Sequence, residues 1–253
     1  MPASRDRPML SFLLRATVSL LVLKVTAAIV SGYVDYFPPN FRSDFLHGRQ
    51  DYFFGSYHWV FYGHILTGPV ALLLGTLLSS TAFLKRFPAW HRRLGKPHCC
   101  CVLLGVAPTG LWMAWFARFG IGASIGFSLL AGLTAFCTTM GWRRAVQRRF
   151  VDHRVWMTRS TLLLYSAVVL RLLGGLGTVL DVHFAAYDLL AGWISWVGPL
   201  LIFEIRRSYL RHSQQRRARP HWRPAGAASG VSSERETPRG GPARDFRHRF
   251  NPL

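Results

Sequence analysis

The sequence predicts an all-α integral membrane protein, a six-helix transmembrane bundle followed by a disordered basic C-terminal tail. Three observations carry this. Half of the 253 residues are hydrophobic, more than a soluble domain of this length needs. The apolar residues gather into six runs of roughly membrane-spanning length. The 31 Lys and Arg residues, which give a net charge of +20, cluster between those runs instead of scattering.

A helix needs ~20 apolar residues to cross a ~30 Å hydrocarbon core. The first run covers residues 9–34 and contains Arg15 and Lys24; its length favours an uncleaved anchor over a signal peptide. The second, 59–84, has His64 as its one ionisable group before the charges that close it. The third and fourth cover 99–117 and 119–142. The fifth, 155–180, carries Arg159 and Arg171 inside it, and the sixth, 189–203, lies between Asp188 and Glu204. The expected organisation is an N-terminal segment 1–8, a membrane domain 9–205 and a tail 206–253.

The connections test this reading independently. Lys85, Arg86, Arg92, Arg93 and Lys96 separate runs two and three, and Arg143, Arg144, Arg148, Arg149 and Arg154 separate runs four and five. The intervening connections hold few cations or balance them with aspartates. This alternation predicts an inner (plasma) membrane protein with both termini cytoplasmic. The tail is rich in Arg, Pro, Gly and Ser and cannot bury enough surface to offset its ordering entropy. It is expected to rest on anionic lipid headgroups; no stacking module accompanies its charge, so nucleic acid is not expected as a partner. Cys99, Cys100 and Cys101 are adjacent, which suits helix packing better than a disulfide framework or metal clip.

The rare ionisable residues of the apolar runs are the candidate site. His153 and Arg171 lie 18 positions apart, five turns of an α-helix, with Met157, Ser160, Leu164 and Ala167 between them on the same face. That face is expected to look into the bundle, because an arginine facing lipid at depth costs ~2.5–3.5 kcal/mol. Arg159 lies within snorkelling reach of the headgroups. In run two, His64, Gly68, Ala71, Gly75 and Ser79 form a small-residue stripe that permits close helix approach. His64 and Arg171 both belong to the outer half of the membrane, and a contact between them is expected. His91 and His153 head two parallel helices at similar depth.

The pieces "YGHILTGPVALLLG", "HRRLG" and "HRVWMTRS…LR" resemble the domain-of-unknown-function 2306 family, a group of prokaryotic membrane proteins without an assigned activity. The resemblance covers residues 57–175, and the His-Arg-x-Trp-Met-x-Arg-Ser piece is its most specific part. It implies a multi-pass fold and a shared site. The sequence departs from the family's pattern at "KPHCCC".

Three functional readings follow. The first is binding of a small ligand or lipid at His64, His91, His153, Arg159 and Arg171, since intramembrane ionisable residues mark sites. The second is a b-type haem electron carrier, with His91 and His153 as ligands of the haem iron and neighbouring arginines on the propionates. The third is a structural or assembly protein. The chain lacks G-x-S-x-G, H-E-x-x-H and a phosphate-cradling glycine loop, so enzyme chemistry of those kinds is not expected. Oligomeric state and ligand identity are not encoded in any motif.

Overall fold

The computed structural model describes residues 6–43, 45–118, 120–182 and 184–218. All regular structure among them is helical. The chain divides after Tyr209 into two units, and the described part of the second, 210–218, is helical. The helices are α1 (Asp6–Ser31), α2 (Gln50–Tyr52), α3 (His58–Leu78), α4 (Thr81–Arg86), α5 (Pro88–Cys100), α6 (Ala107–Ala114), α7 (Gly120–Val146), α8 (Phe150–Leu164), α9 (Ser166–Val179) and α10 (Ala185–Ala218). A 3₁₀ turn, Gly32–Tyr36, extends α1; π-helical turns at Phe53–Tyr57 and Cys101–Val106 join α2 to α3 and α5 to α6. These pieces form six segments long and apolar enough to cross a membrane, 16–36, 50–78, 88–114, 120–146, 150–179 and 185–215.

The segment boundaries differ from the apolar runs for local reasons. Run two does not continue as one helix to residue 84. It ends at Leu78, and Ser80 adopts extended backbone, its hydroxyl accepting from the Phe83 N–H to start α4. The third segment begins at Pro88, a residue suited to a first helical turn, so His91 lies inside it. Pro97 also stays within α5, and the π-helical turn follows it. The fifth run is broken at Tyr165, which separates α8 from α9. The boundary expected at 205/206 falls inside α10, which runs unbroken through Ala218. Residues 206–218 are therefore helical, contrary to the disorder expected there: this stretch, "RRSYLRHSQQRRA", contains neither Pro nor Gly and is rich in helix-compatible side chains. The expected tail beyond it, 219–253, and residues 1–5 of the N-terminal segment lie outside the described residues.

Large apolar side chains cover the outside. On α7, Ile121, Ile125, Leu129 and Phe136 are all exposed, an arrangement that water would penalise and lipid favours. Inside, Val22, Ala71, Leu72, Val102, Leu164 and Val168 form one core, joining α1, α3, α8 and α9. Cys137, Leu163 and Trp196 form another between α7, α8 and α10. Lipid tails are as apolar as these side chains, so close packing and hydrogen bonds between helices carry the association. Thr138 and Ser160, both fully buried, share a 2.7 Å hydrogen bond between α7 and α8. Ser79 meets Thr161 at 3.2 Å, and the Tyr165 hydroxyl donates to Thr76 at 3.2 Å. Gly105 lets its helix approach α3 so closely that an added Cβ would lie 2.7 Å from Thr67 Cγ2.

Candidate functional site

The outer end of α3 is built by the residues before it. The 3₁₀ turn and residues 37–57 bring Tyr36, Phe41, Phe45, Phe53, Tyr57 and Phe61 together with Leu46 as an aromatic cap. Arg49 organises it. Its Nε donates to the Phe45 carbonyl at 2.7 Å, and its Nη1 to the Tyr52 and Tyr57 hydroxyls and the Phe116 carbonyl at 3.1–3.2 Å. The guanidinium carbon also sits 4.6 Å from the Phe45 ring centroid. Arg49 was read only as a loop charge; its signal in the sequence was a cation among aromatic residues.

Beneath this cap lies a cavity of about 860 Å³, mostly apolar, reached by α1, α3, α6, α7, α9 and the start of α10. His64 and Arg171 both line it, and so do Gly68, Ala167 and Gly174. The two halves of the His153–Arg171 face thus have different fates. Ser160 is packed between helices, whereas Leu164, Ala167, Arg171 and Gly174 line the cavity. No hydrogen bond joins His64 to Arg171 among the described residues. His64 Nδ1 instead pairs with Thr109 Oγ1 at 3.0 Å, and Arg171 lies within electrostatic range of Tyr33. Lys24, the other cation within an apolar run near α9, is exposed and does not line the cavity.

His91 and His153 form a separate group. His153 Nδ1 donates to the Gly141 carbonyl at 2.8 Å, because a carbonyl can only accept. His91 lies within electrostatic range of His153, and its Nδ1 is shielded without a hydrogen-bond partner. The cavity does not extend to either ring. No three His, Cys, Asp or Glu side chains converge as a metal cluster among the described residues. His98 is fully buried, and an added Cβ on Gly75 would lie 3.2 Å from its Cε1. The glycine of the α3 stripe thus makes room for an imidazole.

Arg159 belongs to neither group. Its Nε and Nη2 donate to the Glu204 carboxylate at 2.7 and 3.1 Å, a bidentate clamp from α8 to α10. Its guanidinium carbon stacks 4.3 Å from the Trp156 ring centroid, and Arg207 approaches Glu204 at 3.7 Å. The snorkelling expected of Arg159 is replaced by this pairing, since Glu204 supplies inside the protein what the headgroups would supply outside. Removing one partner leaves a charge without compensation, while removing both leaves an apolar contact. Arg159→Leu is therefore expected to lower stability by on the order of 2 kcal/mol, less than a fully buried pair because Glu204 is partly exposed. Arg159→Leu combined with Glu204→Leu should recover most of that loss, as read by thermal unfolding in detergent.

No curated protein and no solved structure matches the chain. One family does match, over residues 61–206, more than half the chain, and its description is "Predicted membrane protein (DUF2306)". The matched stretch begins at the inner edge of the aromatic cap, takes in His64, His91, His153, Arg159 and Arg171, and ends just after Glu204. With its six apolar spans and this match, the chain is a multi-pass membrane protein that belongs to the DUF2306 family.

Proposed function

We propose that this protein binds an amphipathic small molecule within the membrane, its apolar body in the cavity and its polar head at His64 and Arg171. The observation that supports the reading is the cavity itself. It has the size of ligand pockets, roughly 300–1,000 Å³, with apolar walls and a few convergent polar groups. Arg171 is the more telling of these groups, because an intramembrane guanidinium facing a cavity without an ion pair among the described residues is suited to a ligand's oxygen. The test is photo-crosslinking with a diazirine-bearing fatty alcohol in nanodiscs. Labelling is expected on cavity-wall peptides of the natural chain and lost in Gly68→Phe, whose Cβ enters open space and whose ring fills the cavity. Equal labelling of the two, with both folded, overturns the reading.

The proposed setting is an inner membrane with both termini cytoplasmic and the basic connections 85–96 and 143–154 against anionic headgroups, supported by the alternation of charge along the sequence. A reporter fused after Phe184 should then read as external, and a cytoplasmic signal there refutes the orientation. A second reading, haem b between His91 and His153, draws on the carbonyl-held Nδ1 of His153. Ligand histidines are commonly oriented this way, with Nε2 left for the metal. A Soret band that shifts on dithionite reduction, and is lost in His153→Ala, is the expected result. A spectrum without that band after haem-replete expression removes it.

A further inference from the structure

The hydrogen-bond bookkeeping of the cavity specifies more than its size. The Thr109 hydroxyl has one proton, and it goes to a backbone carbonyl of its own helix, Gly105 at 2.6 Å with Val106 at 3.3 Å. Thr109 Oγ1 can therefore only accept from His64, so His64 Nδ1 carries the ring proton. The Val106 carbonyl also lies against the ring. In the neutral ring, Nε2 is then a lone-pair acceptor. Three hydroxyls along the cavity are in the same position. Tyr33 donates to the Ile65 carbonyl, Thr134 to Leu130 at 2.7 Å and Ser195 to Gly192 at 2.7 Å. Each can offer a ligand only lone pairs. Asp35 and Asp188 add further acceptors to the lining. Against these acceptors, Arg171 is a donor that has no hydrogen bond among the described residues.

We propose that the cavity, on the reading given above, selects a ligand that brings its own hydrogen-bond donors: a hydroxyl-bearing ring with an apolar tail, of which a hydroquinone is the type. One hydroxyl donates to His64 Nε2, and a ligand oxygen accepts from Arg171. A quinone of the same skeleton has carbonyls alone. It can satisfy Arg171 but leaves His64 Nε2 and the lining hydroxyl oxygens without a donor. Burying an acceptor without a partner costs more than a formed bond gains, so the reduced form binds tighter.

The experiment compares decylubiquinol with decylubiquinone, binding anaerobically to the full chain in nanodiscs, with the empty nanodisc subtracted. The quinol is expected to bind about tenfold tighter. His64→Phe, which removes the acceptor, should bring the quinol down to the quinone's affinity. Thr109→Val leaves the imidazole in place and removes the hydroxyl acceptor that favours Nδ1–H, and should narrow the preference even if His64→Phe fails to fold. Equal affinities in the natural chain, or a preference unchanged by Thr109→Val, overturn the donor requirement. If the fatty alcohol still labels the cavity in that case, ligand binding stands and only its selectivity falls. If neither quinone form nor the alcohol reaches the cavity, both fall together.

Discussion

Arg49 holds together a part of the protein that apolar packing alone would not order. Four acceptors converge on it from Phe45, Tyr52, Tyr57 and Phe116, the last contributed from 67 positions along the chain. At the outer end of a bundle, a loop can dissolve into water or headgroups. Here it folds inward, because a guanidinium with several donors gives the aromatic residues around it one geometry in which their polar tips are satisfied. The cap it organises closes the cavity from one end. The aromatic wall of the cavity thus rests on a cation held by carbonyl and hydroxyl oxygens.

The remaining polar groups follow the same rule, imposed by a solvent that offers no hydrogen bonds. Arg159 takes Glu204, Thr138 takes Ser160, and many hydroxyls return to the carbonyl one turn earlier. These bonds set which helix faces meet. The α7–α8 pair, with His153 on Gly141 and Ser160 on Thr138, is pinned at two levels by such contacts. Where the rule is relaxed, at Arg171 and His64 Nε2, there is space for a ligand to complete it. His91 and His98 have shielded ring nitrogens without a well-formed bond among the described residues, which sets their end of the bundle apart from the cavity in character.

The break at Tyr165 divides two jobs along one run of sequence. Below it, the small and hydroxylated residues of α8 are spent on packing against α7 and α3. Above it, α9 carries Arg171 along the cavity wall.

The number of spans and their helical nature were legible in the sequence, because bilayer thickness fixes the length of an apolar run and backbone polarity in lipid demands a helix. The special standing of His64 and Arg171 was legible too, since ionisable residues in lipid are too costly to be incidental. Helix ends were less so. Run two was read through to residue 84, whereas the capping hydroxyl of Ser80 starts a separate helix, and the basic stretch 206–218 was read as disorder although it has the propensities of a helix. Arg159, Arg49 and His98 were decided by tertiary structure alone. Arg159 finds Glu204 45 positions away, Arg49 finds a carbonyl 67 positions away, and His98 finds the space left by Gly75. Hydropathy and periodicity report what a residue costs in lipid. Which partner offsets that cost depends on which helix packs beside it, and that is set by contacts between residues far apart in the chain.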